Sequence, residues 1–267
     1  MKKQLLLCVL CLGLCERGAA NVIVVGSLAR QKTLKAGEAF DGVIYLKNSE
    51  KEPTEARVYQ SDYRHYADGR DDFSDPGTNP RSNASWITIS PTRVKIRPGE
   101  TIGVHYKGKA PADQNLRGTF WSMIMIEPTA VPAPIILGND QQIAMGISTL
   151  VRFGVQIATD IGNGGERNLR VLNKTLTRRN GKRVLQIDVE NSGENLLVPA
   201  ISVELFDHTG ASIGRFEGGR PRIYPACSIR SIVDLNDLPA GKYAAMVLLD
   251  NGDEHVMGAQ YELDLSP

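Results

Sequence analysis

The sequence predicts an all-β fold. Apolar and polar residues alternate over short runs, Gly, Pro and Asn turn signals bound those runs, and no window carries a helical period. The longest alternation, Ile143 to Ile157, sets Ile143, Met145, Ile147, Thr149, Val151, Phe153, Val155 and Ile157 on one face, with mostly small or polar residues between them. It outruns the usual strand of roughly five or six residues. Such length suggests a strand that serves its own core along one part and an outside partner along another. Many strands at short spacing imply two consecutive immunoglobulin-like β-sandwich domains.

The chain opens as an export signal. Lys2 and Lys3 precede the apolar run Leu5 to Leu14, which is too short to span a bilayer, and Gly18-Ala19-Ala20 offers small residues for cleavage. Residues 1–20 are therefore read as a signal peptide removed before Asn21. Cys8, Cys11 and Cys15 fall inside it, and Leu14 ahead of Cys15 argues against a lipid anchor. Cleavage leaves Cys227 alone, so no internal disulfide is expected and stability must come from the core. Roughly 250 mature residues suffice for one large or two ordinary domains. A net charge of +1 excludes a phosphate-backbone binder, so no nucleic acid is expected as a partner. With no second apolar run long enough to span a membrane, the product should be soluble in the periplasm or outside the cell.

The elements follow in order. Val22 to Val25 is an opening strand and Lys35 to Glu38 a turn; Phe40 to Asn48 and Glu55 to Tyr63 alternate into strands. Ala67 to Ser85, rich in Asp, Gly, Pro, Asn and Ser, reads as a long surface loop. Trp86 to Ser90 and Arg93 to Arg97 are strands split at Pro91, and Arg97-Pro98-Gly99-Glu100 is a tight turn. Thr101 to Lys107 and Gly118 to Ile126 follow, and a connection from Pro128 to Gly138 leads into the long alternation. The run Asp160 to Glu166, polar and glycine-rich, marks the boundary between a domain at 21–160 and one at 161–267. Beyond it lie strands at Leu169–Leu176, Val184–Glu190, Val198–Phe206, Ile213–Phe216, Ile223–Leu235, Gly241–Asp250 and His255–Leu265. Asn180-Gly181 and Asn251-Gly252 are hairpin signals.

No constellation for covalent chemistry emerges, so no enzyme and no cofactor is expected. Ser85, Ser90 and Cys227 lack a patterned His and Asp, and no Gly-x-Ser-x-Gly elbow exists. Asp68, Asp71, Asp72 and Asp75 lack the spacing of a calcium loop, and His65, His105, His208 and His255 lack metal-ligand spacing. Cys227 reads as a small buried thiol, and Trp86 and Trp121 as core anchors.

Several segments, in order, carry a family resemblance. Ile96-Arg97-Pro98-Gly99-Glu100 followed by Val104, then Leu116 to Pro128, then Gln142 to Phe153, resemble the P-G turn, strand F1 and strand G1 of the periplasmic pilus-assembly chaperones, the PapD-like superfamily. Leu172-Asn173-Lys174, Leu185 to Asn191 with Ser192, and Ile223-Tyr224-Pro225 resemble that family's second domain. The resemblance implies a periplasmic chaperone or chaperone-like assembly factor for surface-fibre subunits. It would bind subunits with an incomplete β-sandwich by donating an edge strand, with an outer-membrane usher as a further candidate partner. Ile143, Met145, Ile147, Thr149 and Val151 would be the donated residues. Arg30 and Arg152 would bind the subunit's terminal carboxylate in the cleft between domains. The chain departs from the family in two places: Leu28-Ala29-Arg30-Gln31-Lys32 turns polar after the arginine, and Arg117-Gly118 replaces the family's glutamate. The alternative is a structural or adhesive envelope protein that binds another surface protein or a glycan through loops such as Ala67–Ser85.

Overall fold

A computed structural model describes residues 22–129, 150–162, 164–253 and 256–265. The signal segment 1–20, Asn21, His255 and the expected donor residues Ile143, Met145, Ile147 and Thr149 lie outside them. The described chain is all-β, two immunoglobulin-like sandwiches in succession.

The first is built from β1 (Val22–Val25), β2 (Ala29–Leu34), β3 (Ala39–Asn48), β4 (Thr54–His65), β5 (Asp71–Ser74), β6 (Ile87–Ser90), β7 (Arg93–Ile96), β8 (Thr101–Lys109), β9 (Gly118–Pro128) and β10 (Phe153–Ile161). One sheet has the order β1-β3-β8-β6; the other runs β2-β10-β9-β4-β5, with β7 also paired to β4. Ile44, Leu46, Val58, Ile96, Val104, Ile124, Val155 and Ile157 fill the space between the two sheets. The second is built from β11 (Leu169–Arg179), β12 (Lys182–Asn191), β13 (Ala200–Phe206), β14 (Ser212–Gly219), β15 (Ser228–Asp234), β16 (Lys242–Asp250) and β17 (Val256–Asp264). Its sheets are β11-β12-β15 and β14-β13-β16-β17, closed over Ile187, Val189, Val203, Leu205, Val233 and Val247.

Four local expectations change. The alternation at Ile143–Ile157 is not one strand over its described part: β10 begins at Phe153 and continues to Ile161 because β9 pairs with it that far, while Leu150 to Arg152 lie outside any strand. The polar segment at Ala29–Leu34 is a strand, although its composition reads as a connection. As the edge of its sheet it exposes much of its side-chain surface, so its ladder with β10 needs no apolar pattern. The Ala67–Ser85 loop contains β5, hairpinned on β4, and is braced from inside. The Asp62 carboxylate accepts from Asn79 N–H at 2.7 Å and from the Ser82 hydroxyl at 2.5 Å. Asn83, wholly buried, donates to Phe120 O and Ile157 O and accepts from Ser122 Oγ. Finally, Ile223–Leu235 is broken. Ile223 makes an isolated bridge to Leu197, Ala226 turns the chain at φ 57°, and the strand starts at Ser228.

Candidate partner-binding edge and inter-sandwich cleft

The first strand region changes sheets partway along. Val22–Val25 pairs antiparallel with β3, the chain bends at Gly26 (φ 100°), and Ala29–Leu34 pairs parallel with β10 in the opposite layer. A side chain at Gly26 would be strained there, since φ is deep in the left-handed range. Gln156 N–H donates to Leu28 O at 2.8 Å, the first bond across that seam. Because main-chain groups alternate sides along a strand, Gly154 presents its N–H and C=O on the same side as Gln156, at a level β2 no longer reaches. Among the described residues, Phe153–Val155 is therefore paired to β9 on one flank and unpaired on the other. Leu28 and Val25 beside the crossover are each 43% exposed, and Leu150 and Val151 just ahead of β10 are 37% and 39% exposed. Apolar surface thus borders a sheet edge that no other described strand covers.

β9 is buried on both faces because each half of the protein uses it. Phe120, Ile124 and Ile126 enter the first core, whereas Trp121 and, from β10, Ala158 enter the second. The Trp121 ring stacks on Tyr224 at 4.8 Å, and its indole N–H donates to Tyr63 O at 2.8 Å. Thr119 is a polar rivet: its N–H donates to Glu194 O at 2.8 Å, and its hydroxyl accepts from Leu196 N–H at 2.7 Å. Arg81 and Arg117 both hold the Glu194 carboxylate, at 2.8 and 3.0 Å. Its pKa falls below the usual carboxylate range, first through the Glu166 main-chain bond and then through Arg117. Farther along the same sheet face, Tyr224 OH donates to Gln156 Oε1 at 3.0 Å and Arg222 donates to Gln31 Oε1 at 3.1 Å. Gln31 in turn donates to the Asp160 carboxylate at 2.6 Å.

The two arginines expected to share a carboxylate stand differently. Arg30 is the register partner of the core residue Ile157, is partly buried, and keeps a buried Nε without a partner. Arg152 is exposed in the coil ahead of β10. Neither side chain makes a hydrogen bond or ion pair among the described residues. Sequence reasoning missed Arg222, which lies against both sandwiches and also has a buried, unpartnered Nε. Its signal was the pair of arginines flanking Pro221, just before Ile223-Tyr224-Pro225.

Three of the acidic candidates have structural partners. Asp72 pairs with Arg64 at 3.0 Å, Asp71 accepts from Tyr63 OH at 2.8 Å, and Asp68 accepts from Arg70 N–H at 2.9 Å. Among the described residues no three acidic, His or Cys side chains gather around a possible metal. Burial pushes the Cys227 thiol up to about 11. No helix among the described residues is long and apolar enough to cross a membrane.

No family model matches the chain, and no curated protein matches it. Solved structures similar to it include fimbrial chaperones. A chain from a chaperone–tip adhesin complex of CFA/I fimbriae is 14% identical, with 91% of this chain and 98% of that one covered at a TM-score of 0.47. The class 5 fimbriae chaperone CfaA is 13% identical, with 90% and 98% covered at 0.47. A chain of the CsuC–CsuE chaperone–tip adhesion subunit pre-assembly complex, from archaic Csu pili of Acinetobacter baumannii, is 13% identical, with 79% and 89% covered at 0.41.

Proposed function

We propose that the protein is a periplasmic, chaperone-like assembly factor that binds protein subunits with an incomplete β-sandwich by lending them the open edge of β10. The carrying observation is the unpaired flank of Phe153–Val155, left where the chain crosses from β1 to β2 and bordered by exposed Leu28, Leu150 and Val151. An extended segment laid there gains main-chain bonds to Gly154, and alternate side chains gain apolar contacts. The sequence resemblance of Gln142–Phe153 to strand G1 supports the same reading and extends the donated face back through Ile143, Met145, Ile147 and Thr149. A partner's terminal carboxylate has three arginines to choose from: Arg30 and Arg152, implied by the resemblance, and Arg222, whose Nε is desolvated without a partner.

The test is Val151→Asp, which puts a charge on the donated edge at an exposed position outside any strand. Partners that co-purify with the wild-type chain from native cell envelope should be lost, with the circular dichroism and melting temperature of the variant unchanged. Full recovery of the same partners by the Val151→Asp chain would end the strand-donation reading. Arg222→Ala should weaken capture more than the surface change Arg178→Ala, and equal effects would remove Arg222 from the cleft assignment.

A further inference from the structure

Among the described residues, His65 brings an imidazole to the seam between the sandwiches. His65 ends β4 on the sheet face that also carries Tyr63, whose ring stacks with it at 5.7 Å. The main chain of His65 lies close enough to the Cys227 thiol of the second sandwich to favour its thiolate. Two residues on, Ala67 N–H donates to Ser228 Oγ at 3.0 Å, which ties the β4–β5 hairpin to the turn ahead of β15. The His65 ring has a buried Nδ1 with no hydrogen-bond partner among the described residues. A neutral imidazole tolerates that position, whereas an imidazolium must bury a second N–H that has no acceptor.

We propose that His65 is a proton-operated latch on this seam: while it is neutral the β4–β5 hairpin stays seated against the 224–228 turn, and protonation loosens that seat. The groups near it are Tyr63 and Arg64 on its own strand, Asp71 directly across on β5, and Cys227 from the second sandwich; Asp68 and Arg70 lie on the connecting turn, where Asp68 interacts with Arg230 of the second sandwich. Asp71 favours the charged imidazole, but burial outweighs it and holds the His65 pKa below its ordinary 6.5. Cys227, pushed up to about 11, stays neutral throughout the acid range. The seated state therefore binds fewer protons than the loosened one. Its advantage is whole above pH 6.5 and is lost as the pH falls from there toward the lowered pKa, by at most about tenfold in the population ratio per pH unit.

Hydrogen exchange of the Ala67 amide and Trp121 fluorescence, followed on the full chain from pH 7.5 to 5, test the latch. With each rate divided by the intrinsic amide rate at that pH, the wild type should lose protection at Ala67 and change its emission below pH 6.5, and His65→Gln, neutral at every pH, should do neither. A His65→Gln chain with the wild-type pH profile, or a wild type whose Ala67 protection factor and emission stay flat to pH 5, overturns the proposal. Should that variant misfold, the imidazole proton resonance of wild-type His65 decides: a midpoint below 6.5 supports the latch and one at or above 6.5 refutes it.

Discussion

Trp121→Ala should uncouple two sandwiches that otherwise unfold together. Trp121 stands on a strand of the first sandwich yet is 1% exposed within the core cluster of the second. Removing a buried Trp side chain costs about 3–5 kcal/mol through lost transfer energy and the cavity left behind. The change also strips the Tyr63 carbonyl of its indole donor, worth about 1 kcal/mol, and the Tyr224 ring of its stacking partner, worth about 0.5–1.5 kcal/mol beyond area. These contributions overlap, so a total of about 4–5 kcal/mol is expected. The assay is urea unfolding read two ways: far-UV circular dichroism for the whole chain, and fluorescence of Trp86, the remaining tryptophan, for the first sandwich. In the wild type the two curves should coincide; in the variant they should separate, the dichroism curve showing an earlier phase from the second sandwich. Coincident curves with a loss under about 1 kcal/mol would refute the idea that β9 belongs to both cores.

Gly118→Ala should fail for a different reason. With φ at +80°, a Cβ there would lie 2.3 Å from Glu194 O, so strain and clash together should cost about 2–4 kcal/mol in denaturant unfolding. Gly77→Ala, at φ +89° with nothing within 4 Å, should lose only the strain, about 1 kcal/mol. In a chain beginning at Asn21, Cys227 is the single thiol. Buried and with its pKa pushed up to about 11, it should resist Ellman's reagent at pH 8 in the native protein and react promptly in denaturant. Prompt reaction under native conditions would mean that the 224–228 turn opens readily.

The strand pattern was legible wherever at least one face of a strand is buried. Phe40–Asn48, Gly118–Ile126, Val184–Glu190 and Gly241–Asp250 stand within a residue or two of β3, β9, β12 and β16. Two strands were missed because an edge position removes the signal: β2 and β5 are held mainly by ladder bonds to β10 and β4, so their side chains are free to be polar. The interior role of Ala67–Ser85 was hidden because its anchor, Asn83, is satisfied by carbonyls and hydroxyls distant in sequence. Of the proposed site, the alternation through Phe153, Val155 and Ile157 was readable, whereas the point at which β10 begins was not. Nor was the unpaired flank, since it depends on where a polar segment leaves one layer for the other. Arg222 was equally hidden, because its partner Gln31 comes from the opposite half.

That crossover has a consequence for how the proposed docking groove is dimensioned. Gly26, Ser27 and Leu28 form a short ruler: the residue at which the N-terminal segment hands over to Ala29 decides how many rungs of β10 stay vacant. Lengthening the ruler by a residue or two would move the handover and resize the vacancy without altering a single side chain inside it. Specificity for the length of a guest segment would then be inherited from a hinge that never touches the guest.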